Sequence, residues 1–326
     1  MSALTETALL LNEQLVLTLG ARTVPDPRPG QARVRLEWAG VCGSDLHVLR
    51  TGDWVSQWPA TLGHEIVGVV EECPGGELAA GTRVVVDSRM PCGDCRGCAR
   101  SPHLCDSLRW VGEGMPGGFQ RRAVFNIGQV VPCPAALESA LAVLAEPLAV
   151  AMHAVTRAGA IPDRALIMGY GPVGALVHAE LSRRRPDIEV TVAEPLAIRQ
   201  QMAQAASADL LDVGDDQRWP LVVDAAGYRT SLPDAIERAE KGATILLVGL
   251  AHHEVGVVPQ VITEHSLTIV GSNGFADELP QAIDALVRDP ATFRWLITDS
   301  ILLEEAVPRL AELLEIPAAG KVVVAL

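Results

Sequence analysis

The sequence predicts an α/β chain of two domains: a mainly β domain, then a doubly wound parallel sheet, with the last stretch of chain returning to the first domain. Three observations carry this prediction. Residues 1–149 hold short β-branched runs separated by Gly and Pro. From about Ala149 apolar strands alternate with stretches of helical spacing, the pattern of a parallel sheet with crossover helices. A Gly-x-Gly-x-x-Gly sequence sits between one of these strands and its helix. The domains are expected to be 1–149 with 291–326, and 150–290.

In the first domain, Gln31 to Trp38 alternates polar and apolar residues as a half-buried strand does, and Ile66 to Glu71 and Thr82 to Val86 are further strands. Pro74-Gly75-Gly76 is a turn between them. In the second, strands are expected at Ala165 to Met168, Ile188 to Ala193, Leu221 to Ala225, Thr244 to Val248 and Leu267 to Gly271. Helices are expected at Val173 to Arg183, Ala197 to Ala206, Leu232 to Ala239 and Leu279 to Arg288. A helix over Glu304 to Leu314 and a strand over Lys321 to Leu326 close the chain.

With 326 residues, 49% of them hydrophobic, the chain can bury two cores. Its net charge of -14 makes nucleic acid and anionic membrane poor partners, because like charges repel. No run of about 18 apolar residues stands out, so no membrane span is expected. Met1 to Glu13 lacks the basic and apolar stretches of a signal peptide, and a cytoplasmic location is expected.

The seven cysteines are Cys42, Cys73, Cys92, Cys95, Cys98, Cys105 and Cys133. Four of them, spaced Cys92-x2-Cys95-x2-Cys98-x6-Cys105, lie on one short loop. Four thiolates so placed make a closed tetrahedral zinc site, structural because no coordination position stays open. An iron–sulfur cluster also takes four thiolates, but the rest of the chain has no electron-transfer logic.

Gly169-Tyr170-Gly171-Pro172-Val173-Gly174 follows a strand and opens a helix. There the first Gly permits the turn, the second lets a pyrophosphate approach the backbone, and the third lets helix and sheet pack, with the helix N-terminus facing the phosphates. Glu194 ends the next strand, twenty positions after Gly174. A carboxylate there accepts ribose hydroxyls and repels a 2′-phosphate, which favours NAD over NADP. Arg199 lies beside the adenine end in this reading, or is a surface residue; a guanidinium can also meet a phosphate.

A third constellation joins Cys42, His64 and Glu146, residue types that hold a catalytic zinc with one position open. Singly, Cys42 could be a core thiol, His64 a loop histidine and Glu146 a helix cap. Together with the dinucleotide motif they point to a metal.

The segments GVCGSDLH, GHEIVGVV, the four-Cys loop, GGFQRRAV, EPLAVA and GYGPVG resemble, in the same order, the zinc-containing medium-chain dehydrogenases. The match runs on through VVDAAG and IVGSNG and covers nearly the whole chain, and the Glu-Pro-Leu segment is similar to the sorbitol/polyol dehydrogenase branch. That resemblance implies a GroES-like first domain, a Rossmann second domain, two zinc ions per chain and NAD. It implies that Cys42 and His64 hold the catalytic zinc, with Glu146 as third ligand, direct or through water, and that Glu65 can enter the metal shell. It also implies that Ser44 meets the substrate alcohol, that His47 passes its proton to solvent by way of the nicotinamide ribose, and that Asp45 orients His64. The expected activity is hydride transfer between NAD and a secondary alcohol, a polyol, sugar or cyclitol. A larger alcohol such as a tetrapyrrole side chain is the alternative substrate. A homo-oligomer is expected, paired near Leu267 to Gly271.

Two departures stand out: the last spacing of the four-Cys loop is one residue short, and the segment between Ala208 and Leu221 lacks a helix. Trp54, Trp58, Trp110 and Phe119 could line a pocket or pack a core, and Glu113 and Met115 are equally open. Two other functions compete: a zinc-independent enone or quinone reductase, opposed by the intact ligand set, and a non-catalytic zinc protein, opposed by the Ser44/His47 pair.

Overall fold

Alternation along Gln31–Val41 buries Ala32, Val34 and Leu36 on one face, and this strand becomes the spine of a seven-stranded sheet. The computed structural model describes residues 4–212, 214, 216–250 and 253–326. The sheet runs, from one edge, through Ile297–Leu302, Lys321–Ala325, Gln31–Val41, Glu65–Glu72, Arg83–Val86 and Val130–Pro132, and Arg122–Asn126 also pairs with the spine. The C-terminal strand thus lies antiparallel to the spine, Val322 facing Val41. A hairpin of Leu4–Leu11 and Leu17–Val24, not anticipated from the sequence, packs Leu9 and Leu11 into the core with Phe119, Val322 and Leu310.

The second sheet is wholly parallel, in the order Asp209–Leu210, Glu189–Ala193, Arg164–Met168, Trp219–Asp224, Ala239–Leu247, Thr268–Gly271. Numbered within this unit the order is 3-2-1-4-5-6, the doubly wound arrangement that binds dinucleotides where the order reverses. Apolar strand faces and the helix Ser231–Arg238 close its core around Trp219, Val222, Ile236 and Ile245. Burying a side chain of this size contributes about 1.5–3 kcal/mol. The helix-free segment survives as the two-residue strand Asp209–Leu210 at the sheet edge; Val213 and Asp215, within it, lie outside the described residues.

The chain divides into two compact units, one from the N-terminal part through Glu146 with Leu279–Leu326, the other Pro147–Glu278. The helix Leu279–Arg288, placed with the second domain by the sequence pattern, groups with the first unit. Its apolar face accounts for this: Ala282, Ile283 and Leu286 are buried, and it contacts the helices Ser139–Ala142 and Pro290–Arg294 of that unit. One stretch, Ser139–Ala158, is by length and composition alone long and apolar enough to cross a membrane. Of its apolar window 78% is buried inside the protein, as in a core helix.

Candidate active site

Cys42 stands at the N-cap of the helix Gly43–Thr51 with extended backbone, which turns the chain from strand to helix at this corner. The Asp45 carboxylate fixes this corner: Oδ2 accepts the Cys42 N–H at 2.8 Å and Oδ1 accepts the Gly63 N–H at 2.9 Å. It draws together two loops that are far apart in sequence. His64 follows Gly63 directly, and its Nδ1 lies 3.8 Å from Asp45 Oδ1. That is too long for a hydrogen bond. Asp45 therefore acts on His64 through charge and through the Gly63 peptide, not as the direct hydrogen-bond partner that would orient a metal-bound imidazole.

Glu65 opens the strand Glu65–Glu72 and is fully buried. The strand register sets it opposite Gly40, and a Cβ at Gly40 would stand 1.9 Å from Glu65 Oε2, so only glycine leaves room for this carboxylate. Glu65 Oε1 accepts a 2.5 Å bond from Lys321 Nζ, which also donates to the Val41 carbonyl at 3.1 Å. Glu65 Oε2, by contrast, is buried with no hydrogen-bond partner among the described residues.

One donor atom from each of Cys42, His64 and Glu65 falls within a 4.8 Å cluster. Glu146, expected as the third ligand, stands outside that cluster. It is buried in the first turn of Ala145–Ala158, where its Oε1 accepts the Ser88 hydroxyl at 2.8 Å. Burial pushes its carboxyl up to about 6, against the pull of His64. Burial would likewise depress His64, but the Cys42 thiol and the carboxylates of Asp45 and Glu146 outweigh it and hold the imidazole well above its ordinary value. A thiol and carboxylates gathered around a buried imidazole form a pocket suited to a cation. The unpartnered Glu65 oxygen and the thiol–imidazole–carboxylate donor set both fit zinc.

Ser44 and His47 lie three residues apart on the same helix, hence on neighbouring positions of its surface. His47 Nε2 is 3.0 Å from Asp53 Oδ2, a carboxylate with 57% of its side chain exposed, and the imidazole packs on Trp54 with ring centroids 4.6 Å apart and planes tilted by 34°. Of the other candidate pocket aromatics, Phe119 is a core residue and Trp58 packs against the same core.

The sulfur atoms of Cys92, Cys95, Cys98 and Cys105 also lie within 4.8 Å of one another, with Cys92 at 3.8 Å from Cys98 and 3.5 Å from Cys105. Thiolates about 2.3 Å from a tetrahedral zinc would be about 3.8 Å apart. Backbone N–H groups of Cys92, Gly93, Cys98 and Asp106 already point at these sulfurs. That is the solvation a thiolate needs, and zinc fits here too.

In the second unit the glycine loop behaves as its spacing implies. Gly169 has φ +90, and a Cβ on Gly174 would meet the Gly169 carbonyl at 2.1 Å. Pro172 and Val173 start the helix Pro172–Arg184, capped by Gly171. Glu194 clamps the loop: its Oε2 accepts the Tyr170 N–H at 2.7 Å and its Oε1 the Leu196 N–H at 2.9 Å. Each oxygen keeps a further lone pair for a ribose hydroxyl. The Arg199 guanidinium lies 3.4 Å from where a Gly171 side chain would begin. Beneath the loop the Tyr170 hydroxyl and His178 Nδ1 are 2.7 Å apart, and burial pulls His178 down to about 4.

Lys321, Ser88 and the Tyr170–His178 pair escaped the sequence reading. Lys321 opens a run, KVVVAL, whose apolar pattern announces only a strand, and no local signal marks it.

Residues 28–135 match the alcohol dehydrogenase GroES-like domain. The starvation-sensing protein RspB of Escherichia coli K12 is 30% identical over 86% of this chain and 87% of its own. D-altritol 5-dehydrogenase of Agrobacterium fabrum is 30% identical over 92% and 93%. Among solved structures, an alcohol dehydrogenase (rspB) of Escherichia coli CFT073 complexed with NADH superposes with a TM-score of 0.92 at 27% identity, covering 100% of both chains. A zinc-binding dehydrogenase of Sinorhizobium meliloti 1021 bound to NADP gives 0.90 at 26%, over 99% of this chain and 100% of that one.

Proposed function

Since the chain belongs to the zinc-containing medium-chain dehydrogenase/reductase family, among its polyol dehydrogenase-like members, we propose that it oxidises a secondary alcohol of the polyol, sugar or cyclitol kind with NAD, or runs the reverse reduction. The observation that carries this reading is the buried, unpartnered Glu65 Oε2 beside Cys42 and His64, an arrangement that makes sense around a cation.

In this reading Cys42, His64 and Glu65 hold the catalytic zinc, and Glu146 stands by as a further carboxylate, direct or through water. Cys92, Cys95, Cys98 and Cys105 hold the structural zinc. Zinc, when bound at the first site, supplies the Lewis acidity that lowers an alcohol's pKa, and NAD supplies the hydride acceptor. Ser44 Oγ would take the alcohol proton while its own hydroxyl proton leaves toward His47, which hands a proton on toward the exposed Asp53 that already holds its Nε2. Lys321 fixes the Glu65 carboxylate so that one oxygen faces the thiol and imidazole. Gly169, Gly171, Pro172, Val173 and Gly174 cradle the pyrophosphate, Glu194 takes the adenosine ribose and Arg199 flanks it.

The protein works on a small-molecule substrate in the cytoplasm, a compartment that suits seven cysteines with no disulfide among them. It pairs with a second copy along Thr268–Gly271, an edge strand whose Ile269 is 37% exposed. The test is to supply zinc-replete protein with NAD, and separately NADP, across polyols, sugars, cyclitols, amino alcohols and simple secondary alcohols, following reduced nicotinamide by absorbance. Turnover with NAD on a polyhydroxylated member is expected. Zinc-replete protein that binds NAD and turns over none of the panel would overturn the reading.

A further inference from the structure

Resting on that reading, we propose that Glu113 determines which alcohols the site takes. Its carboxylate receives a hydrogen-bond donor that the substrate carries besides the reacting hydroxyl, either a further hydroxyl or an ammonium group.

The loop around Glu113 is built against the site. Its backbone closes a tight turn: Glu113 N–H and Gly114 N–H donate to the Trp110 carbonyl at 3.2 and 2.9 Å, and Gly112 N–H to the Met115 carbonyl at 2.9 Å. The residues that follow are pinned to the peptide leading into His64. Gly117 N–H donates to the Thr61 carbonyl at 2.6 Å, Phe119 N–H to Leu62 at 3.0 Å and Gly118 N–H to Gly63 at 2.7 Å. The Glu113 carbonyl accepts from the backbone N–H and hydroxyl of Ser56. Both main-chain groups of Glu113 are therefore satisfied, and its side chain is what the turn presents.

That side chain is half-buried, yet among the described residues its carboxylate accepts no hydrogen bond and pairs with no cation. Arg22 lines the same small depression but turns its guanidinium to the Pro59 carbonyl and the Thr61 hydroxyl. Gly112, the residue before Glu113, lies against the peptide that leads into His64: a Cβ there would stand 3.3 Å from the Gly63 nitrogen. His64 and Asp45 are the charges that act on the Glu113 carboxylate from that side. Burial, reinforced by Asp45 and opposed by His64, raises it to about 7. A half-buried carboxylate that only a little water reaches is better stabilised by a donor that a ligand holds against it. Glu113 stands outside the Cys42–His64–Glu65 cluster. A substrate donor is the partner this geometry calls for, and polyols and amino alcohols carry one.

The test uses the zinc-loaded enzyme and matched substrates: an alkan-2-ol, the corresponding 2,3-diol and the corresponding 3-amino-2-ol. In Glu113→Ala the ratio of kcat/KM for the donor-bearing alcohol over that for the simple alcohol should fall by about tenfold or more, through KM, as loss of a charged hydrogen bond implies. Glu113→Gln separates the two donors. Its amide oxygen still accepts from a hydroxyl, so the diol ratio is largely retained, whereas an amine substrate loses as much as in Glu113→Ala. Zinc content and NADH binding establish that both variants are folded. An unchanged ratio in both variants, or an equal loss on the simple alcohol, overturns the inference while leaving the proposed function standing. Failure of the wild type on every alcohol overturns both.

Discussion

The four thiols of Cys92, Cys95, Cys98 and Cys105 come from a single loop, with neighbouring backbone N–H groups aimed at the sulfurs. The Cys42–His64–Glu65 cluster is assembled instead from a helix N-cap, the start of a strand and, through Lys321, the last strand of the chain, 280 residues from Val41. In the proposed reading the first cluster would saturate a metal with like ligands. The second mixes thiol, imidazole and carboxylate with two charged groups, Asp45 and Lys321, whose business is position. A cluster built locally from four equivalent donors holds structure. One built from distant, unequal donors and braced by buried charges leaves room for chemistry.

The sharpest way to break this contrast is to remove one sulfur from each cluster. Cys42→Ala should lower kcat/KM by roughly 10³-fold or more, since Lewis-acid stabilisation is worth several kcal/mol and each 1.36 kcal/mol is tenfold. Metal analysis should find one zinc fewer per chain, with an unchanged far-UV circular dichroism spectrum. Cys95→Ser should also cost one zinc, but the loss should appear in thermal stability, with turnover of the folded fraction within about tenfold of wild type if that metal is structural. Full activity in Cys42→Ala would remove the catalytic role from the first cluster.

Next in size is the brace. Lys321 and Glu65 are 2% and 0% exposed, and removing one partner of such a pair leaves a buried charge uncompensated, at about 3–5 kcal/mol. Lys321→Met should lower the denaturant midpoint accordingly, and adding Glu65→Gln should recover much of the loss, because no bare carboxylate then remains. A Lys321→Met variant as stable as wild type would mean that the Glu65 carboxylate is held by something other than this ammonium group.

How much of this could be read beforehand follows the same division. The loop of four cysteines was legible because its donors share one sequence window. So was the glycine turn at 169–174, whose steric demands fall on consecutive residues: φ +90 at Gly169 and the close approach at Gly174. Strands and helices of the second unit were legible from period, most ends shifting by a residue or two as at Ser231–Arg238, but the strand expected from Thr244 starts five residues earlier, at Ala239. The N-terminal hairpin was not, since Leu4–Leu11 carries no turn signal strong enough to announce its partner. At the mixed cluster Cys42 and His64 were legible, but the choice between Glu65 and Glu146 was not. It rests on the register that sets Glu65 against Gly40 and on a lysine from the far end of the chain. Long-range pairing creates that information, and no local window contains it.

The smallest effect bears on that same choice. Ser88 Oγ donates to Glu146 Oε1, a buried bond whose loss in Ser88→Ala should cost about 1 kcal/mol of stability. If Glu146 only stands by while Glu65 coordinates, zinc affinity measured by competition with a chelator should move by less than about threefold, whereas groups that orient a true ligand change affinity by about 10–100-fold. A tenfold loss would put Glu146 directly on the metal. Lys321 would then have to hold Glu65 away from the metal in the loaded enzyme, and its orphaned Oε2 would serve a proton or a water instead of a cation.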